Sequence, residues 1–448
     1  MNVYAIVTVV VTFTALSGWI NARFLKLPGG IGVMLLGLFV SGGLMFANLF
    51  NWLDDSHAIQ LVKSLHFDKL LIGGQGKESV GEGMILGLLL FATALRIEPS
   101  AMARRFGVIT WLSTMGVILT ALMTALMLAG LMTLTGTPFT FTHLLLFGAI
   151  LAPTDAVAVI SMLKRTSAPA RVREVIAGES LFNDGISIVL VLFLIAYLVP
   201  GSGDLPYANW WLGFIAETGG AIVLGIVMGL MARFLIRSIR QGSVIVLITV
   251  SAILLIGMIA PSIPVSTPVC AVVAGLVLGR SSVLSQGKGD GGLVIGFWGL
   301  VESSLTAMLF LVIGLELLTV SFEVETLMWS LAVIPILLIA RYISLFIPWL
   351  VAWLLGRTRM SLDEVGLMTW CGLRGGVSIA MAIALPFTIV TKESNEPFRT
   401  SVLVATIVIV ISTILFQGLT LERVARVVQR RADRRAAANA AAKAAANS

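Results

Sequence analysis

Apolar residues in this chain come in long, nearly uninterrupted runs separated by short polar links, without the alternating faces of a soluble amphipathic helix. Each run covers roughly 17 to 29 positions, which at about 1.5 Å per residue crosses a hydrocarbon core. The pattern predicts about thirteen transmembrane helices, beginning near Val3, Ile31, Val80, Phe106, Phe141, Val175, Ala208, Ser243, Val265, Leu293, Thr326, Leu362 and Thr400. The run from Val265 to Gly279 is short and contains Pro268. The fold class that follows is an all-α polytopic membrane protein.

Composition points the same way. Of 448 residues, 58% are hydrophobic and 12% charged, where soluble domains carry about a quarter charged residues. The first run has no positive region before it, and Arg23 and Lys26 follow it, so it is expected to remain as a span and not to be cleaved as a secretory signal. Cys270 and Cys371, the two cysteines, both lie in apolar runs, which supports neither a disulfide framework nor a thiolate metal site.

The net charge of +7 does not imply nucleic acid, because the basic residues follow loop parity. Links after odd-numbered runs hold Arg23, Lys26, Arg96, Arg104, Arg105, Lys164, Arg165, Arg171, Arg173, Arg233, Arg237, Arg240, Arg280, Lys288, Arg357 and Arg359, and the Arg- and Ala-rich tail adds more from Arg423 onward. The opposite links hold Lys63, Lys69, Lys77, Lys392 and Arg399. The crowded side is expected to be cytoplasmic, with the N-terminus outside and the C-terminus inside a cell inner (plasma) membrane.

Weak internal similarity recurs in order at an offset of about 220 residues: "GLLLFATALRIEPS" with "AMLFLVIGLELLTV", then "LLFGAILAPTDAVAVI" with "GLMTWCGLRGGVSIAM". Segments one to six then pair with eight to thirteen across a seventh connecting helix. Because seven is odd, the predicted architecture is two inverted six-helix repeats, as in secondary transporters. Both members of the second pair are interrupted. Pro153 breaks the fifth segment, and Gly372, Gly375 and Gly376 flank Arg374 in the twelfth. Interruptions at matching positions are the sequence signature of a mid-membrane ion site between broken, crossing helices.

Ionised side chains in mid-membrane cost several kcal/mol unless paired or functional. The candidates are Asp155, Glu179, Asp184, Arg341 and Arg374, while Glu217, Glu302 and Glu316 are assigned structural or interfacial roles. In "GESLFNDG", Ser180, Asn183 and Asp184 share a helix face by their spacing, whereas Glu179 lies about 140° from Asp184. Arg341 has no acid nearby in sequence, and Glu179 is its expected partner. Asp184 and Asp155 remain as ion-facing carboxylates, with Thr154, Ser180 and Asn183 as neutral oxygen donors suited to a hard monovalent cation. Burial disfavours the charged form of a carboxylic acid, so one such group can hold either a proton or a cation.

"APTDAVAV", "GESLFNDG", the "ARY" containing Arg341 and "GLRGGVSIA" together make the chain resemble the NhaP-type sodium/proton antiporters of the monovalent cation:proton antiporter-1 family, from about Val3 to Leu421. The resemblance implies a homodimer with a moving core and a dimerisation scaffold. It assigns residues 1–105 and 243–320 to the scaffold (helices 1–3 and 8–10), 106–199 and 321–421 to the core (helices 4–6 and 11–13), 200–242 to a connecting helix and 422–448 to a short cytoplasmic tail. It also implies that Asp184 binds Na⁺ or a proton, that Asp155 and Thr154 lie at the broken fifth helix, and that Glu179 pairs with Arg341. Asn183 then stands where electrogenic relatives carry a second aspartate. Ala156 departs from the family's usual proline.

The expected function is electroneutral Na⁺/H⁺ antiport by alternating access, one cation and one proton competing for Asp184. K⁺/H⁺ or broader monovalent exchange, including Li⁺, is the alternative, and a cation channel or sensor fits inverted repeats less well. An enzyme is not expected, because His57, His66 and His143 are scattered and "GES" has no adjacent base. No cofactor is implied beyond the transported ions.

Overall fold

The computed structural model describes residues 3–27, 29–49, 84–95, 99–155, 159, 162–163, 170–198, 210–263, 265–279, 290–316, 324–356, 360–383, 385, 389 and 398–446. Among these residues the fold is helical, with no strand. In chain order the helices are α1 (Val3–Ile20), α2 (Gly29–Leu49), α3 (Met84–Leu95), α4 (Pro99–Thr135), α5 (Phe141–Leu151), α6 (Ala170–Leu198), α7 (Trp210–Arg237), α8 (Gly242–Ile259), α9 (Thr267–Gly279), α10 (Asp290–Glu316), α11 (Val324–Leu354), α12 (Leu362–Trp370), α13 (Gly376–Ile383), α14 (Phe398–Thr413) and α15 (Leu419–Ala446). All but α15, which carries the Arg- and Ala-rich tail, fall on the apolar runs. Lys63, Lys69, Lys77 and Ala156 lie outside the described residues.

Eight of the described helices are long and apolar enough to cross a membrane, and shorter apolar helices cover Gly32–Leu44, Leu86–Leu95, Phe141–Leu151 and Thr267–Gly279. Their outward residues are large and apolar. Leu134 is 87% exposed and Phe39 77%, an arrangement that water would penalise and lipid tails accept. In a bilayer, helices gain little from burying leucine against leucine, so contacts rest on small residues and close backbone approach. Gly148 of α5 meets α4 so closely that a Cβ there would lie 2.5 Å from the Ala121 carbonyl oxygen. Gly275 of α9 approaches Phe91 of α3 in the same manner, at 2.8 Å from its carbonyl oxygen.

Three buried apolar clusters organise the interior. The largest joins α3–α6 to α13 and α14 around Phe147, Ile150, Ile188 and Ile407. A second ties α3 to α7–α10 around Phe91, Ile253 and Trp298. The third packs the start of α6 on α12 and the first turns of α15 through Val175, Leu367, Leu421 and Ala425.

The two broken segments cross at the centre. α5 stops at Leu151, and Ala152–Asp155 run on without helical form. α12 starts from a capping box in which the Ser361 hydroxyl accepts from the Glu364 N–H and the Glu364 carboxylate accepts from the Ser361 N–H. It ends at Trp370, and Gly372–Gly375 are non-helical before α13 begins. The breaks join directly, because the Asp155 N–H donates to the Leu373 carbonyl at 2.8 Å.

Gly148→Ala is expected to lower the melting temperature of the detergent-purified protein, since overpacking against backbone costs about 1–3 kcal/mol. Gly130→Ala is the matched control, because nothing lies within 4 Å of its Cβ position.

Candidate ion site at the helix crossing

α6 distributes five polar residues over two of its faces. Ser180 faces the fifth break, where its hydroxyl lies 2.9 Å from the Thr154 hydroxyl. Asp184, one turn further on, lines the same region as Thr154 and Asp155. Ser187 donates to the Ala149 carbonyl and holds the last turn of α5 against α6.

Asn183 departs from the grouping that its spacing suggested. Fully buried, it turns toward α4 and its own helix, and its amide nitrogen meets the carbonyl oxygens of Ser113 and Glu179 at 3.2 Å each. Consecutive helix residues point about 100° apart, so Asn183 shares a side more closely with Glu179 than with Asp184. It does not line the cavity that Asp184 lines.

Glu179 and Arg341 form a buried ion pair, Oε1 to Nη2 at 2.5 Å, with side-chain exposures of 1% and 2%. The hydroxyl of Ser113 in α4 donates to the Glu179 carbonyl at 3.2 Å. Gly372 lies beside the Arg341 stem, and a Cβ there would be tight against the Thr369 carbonyl oxygen at 3.0 Å. This pair draws α6, α4, α11 and the twelfth-segment break together.

Arg374 is equally buried but has a different task. Its Nη1 donates to the carbonyls of Ala152, at 2.6 Å, and Pro153, at 3.1 Å. Those carbonyls end α5, where the helix dipole is negative and the backbone lacks intrahelical partners. The guanidinium therefore satisfies the break by giving each of these two oxygens a donor. Gly375 makes the crossing sterically feasible, because a Cβ there would come 2.5 Å from the Asp155 Cβ. At Gly376 the same addition would collide with Leu309 of α10.

A narrow cavity of about 40 Å³ opens at this crossing, bounded by Leu89, Leu90 and Thr93 of α3, Pro153, Thr154 and Asp155 of the fifth break, Asp184 of α6, Thr306, Leu309 and Phe310 of α10, and Gly375–Ser378. That is room for a small ion or one or two waters. The wall is largely apolar, and the polar side chains in it, two carboxylates and four hydroxyls, offer only oxygens, the donor type that hard monovalent cations take. Among the described residues no group of three or more His, Cys, Asp or Glu is placed to hold a metal ion.

The sequence reading missed Thr93, Thr306 and Ser378. Hydroxyl residues are ordinary in membrane helices, where they bond to the preceding turn, so nothing in their local sequence separates a cavity hydroxyl from a packing one. A faint signal existed in α10, where Glu302, Ser303, Ser304 and Thr306 make a polar cluster in an otherwise apolar segment. Glu302 is 5% exposed and accepts a hydrogen bond from the Thr93 hydroxyl at 3.3 Å.

Comparison with known proteins adds the decisive observation. The family model described as "sodium/hydrogen exchanger, transmembrane" matches residues 10–427. The chain belongs to the sodium/hydrogen exchanger family. The exchanger is 31% identical to the Na⁺/H⁺ antiporter NhaP of Pseudomonas aeruginosa, over 94% of this chain and 96% of that one. It is 30% identical to the Na⁺/H⁺ antiporter NhaH of Halobacillus dabanensis over 62% of this chain and 66% of the relative. In fold it is similar to the sodium proton antiporter MjNhaP1 of Methanocaldococcus jannaschii, with a TM-score of 0.73 at 20% identity, covering 94% of this chain and 97% of the other.

Arg341→Met alone is expected to destabilise the exchanger by about 3–5 kcal/mol, because it strands the buried Glu179 charge. Glu179→Gln combined with Arg341→Met should recover much of the loss, as read by thermal unfolding of the two variants in detergent.

Proposed function

We propose that this exchanger is an electroneutral Na⁺/H⁺ antiporter in which one Na⁺ and one proton compete for Asp184, exposed alternately to the two sides of the membrane. The observation that carries the reading is the small cavity at the crossing of the broken helices, into which Asp155 and Asp184 both face. Membership of the sodium/hydrogen exchanger family and the printed names of the relatives support Na⁺ as the cargo.

The geometry suggests a division of labour. Asp184 projects from a continuous helix and is the carboxylate that exchanges its cation for a proton. Asp155 is tied by its N–H to Leu373 and belongs to the break, where it supplies a second negative oxygen and shapes the chamber. Thr154 and Ser180, bonded to each other, add neutral oxygens beside Asp184. Asn183 contributes through the packing around Glu179 and brings no charge. When a proton on Asp184 replaces one Na⁺, the net charge of the loaded site is the same in both forms, and the exchange cycle is electroneutral.

For alternating access, residues 106–199 and 321–421 form the moving core, residues 1–105 and 243–320 the scaffold of a homodimer, 200–242 the connector and 422–448 the tail. Inverted repeats of helices 1–6 and 8–13 provide the two symmetry-related states. The exchanger works in the cell's inner (plasma) membrane with its N-terminus outside and its C-terminus in the cytoplasm, as the loop charges favour.

The test is collapse of an imposed pH gradient in proteoliposomes supplied in turn with Na⁺, Li⁺ and K⁺. Na⁺ should dissipate the gradient, and a response to K⁺ alone would replace the cargo assignment with K⁺/H⁺ exchange. Asp184→Asn should reduce exchange to the rate of empty liposomes, and retained exchange would sink the role given to Asp184. Clamping the membrane voltage should leave the wild-type rate unchanged, whereas acceleration or reversal with voltage would contradict electroneutrality.

A further inference from the structure

The cavity holds two hydroxyls that its protein neighbours do not satisfy. Ser378 is 1% exposed, and neither its Oγ nor the buried Oγ1 of Thr306 has a hydrogen-bond partner. Both residues line the chamber that Asp155 and Asp184 line. Hydroxyls in membrane helices ordinarily bond to the preceding turn, as Thr93 does to Leu89 at 2.9 Å, and Thr406 to Val402 at 2.7 Å. Buried polar groups ordinarily find a partner, and two such hydroxyls on the wall of one small cavity, beside two carboxylates, point to a shared ligand there.

The chemistry of the neighbourhood selects the ligand. Gly376, Val377 and Ser378, the first turn of α13, line the cavity. Ser378 Oγ is the side-chain oxygen of that turn. On α10, Thr306 stands one turn beyond Glu302, whose carboxylate already accepts from Thr93. The proton of the Thr93 hydroxyl thus has acceptors in the protein, whereas the hydroxyls of Thr306 and Ser378 have none among the described residues and can turn toward whatever occupies the chamber.

We propose that the Thr306 and Ser378 hydroxyls complete the oxygen shell of the transported cation, adding neutral ligands from α10 and α13 to the carboxylates of Asp155 and Asp184. This rests on the antiport reading above. A cation so held bridges α10 to the fifth break, α6 and α13. Under the proposed division of scaffold and core it fastens one to the other when the site is loaded. Two neutral oxygens on different helices also fix the size of the shell, so they set the preference between Na⁺ and Li⁺.

The experiment measures exchange by the full-length protein in proteoliposomes against Na⁺ and Li⁺ concentration for Thr306→Val, Ser378→Ala and Thr306→Ser. Thermal unfolding in detergent with and without each cation is followed in parallel. Thr306→Val and Ser378→Ala should each raise the KM for Na⁺ about tenfold, as the loss of one charge-assisted contact implies. They should also change the Li⁺-to-Na⁺ KM ratio and shrink the stabilisation by Na⁺. Thr306→Ser keeps the hydroxyl and should restore both values. Unchanged KM values and an unchanged ion ratio in both deletions, with wild-type exchange present, would overturn the ligand assignment and leave antiport standing. So would a Thr306→Ser that behaves like Thr306→Val, which would mark the methyl group and its packing as the cause. If the wild-type protein exchanges none of the cations, the antiport reading falls and this proposal falls with it.

Discussion

A helix that stops inside a bilayer leaves carbonyls and amides with no water to satisfy them, and this constraint shapes the centre of the molecule. The fifth and twelfth segments both stop there. They meet the constraint by serving each other: Leu373 accepts from the Asp155 N–H, and the Arg374 guanidinium covers the carbonyls of Ala152 and Pro153. Gly375 allows the approach, since any larger residue would occupy the space of the Asp155 side chain. The cavity is a by-product of this mutual repair, because two chains that leave helical form side by side cannot fill the volume that two continuous helices would.

The buried charges divide accordingly. Arg374 neutralises backbone, Glu179 and Arg341 neutralise each other, and Asp155 and Asp184 line the cavity. Breaking a buried pair is costly while its net contribution to stability is small. The Glu179–Arg341 pair therefore acts mainly as a positional constraint, joining α6 to α11 just behind the two breaks. In the proposed mechanism this keeps Asp184 at a fixed height relative to the crossing while its own charge is exchanged.

Much of the scheme was legible from the chain. Long apolar runs allowed helices and little else, Pro153 and the glycines around Arg374 marked the breaks, and an arginine in mid-run required an acid. The face of each side chain was less legible. Asn183 follows Glu179 one turn later and turns toward Ser113, whereas its spacing from Ser180 had grouped it with Asp184. A helical wheel states angles between residues but not which direction is inward, and that reference comes from the neighbours α4 and α11. That the hydroxyls of Thr93, Thr306 and Ser378 share one cavity was hidden for a related reason, since they come from three distant segments.

By itself, then, the sequence determined the bilayer as solvent, the helical class, the places where helices break and the inventory of charges that have to be neutralised, because each follows from hydropathy and local backbone chemistry. Tertiary structure alone decided how the two breaks bond to each other and which oxygens share one small chamber. Partnership across about 150 to 220 residues depends on how helices cross, and crossing is set by close contacts such as Gly148 on Ala121 and Gly375 on Asp155 that no local pattern encodes.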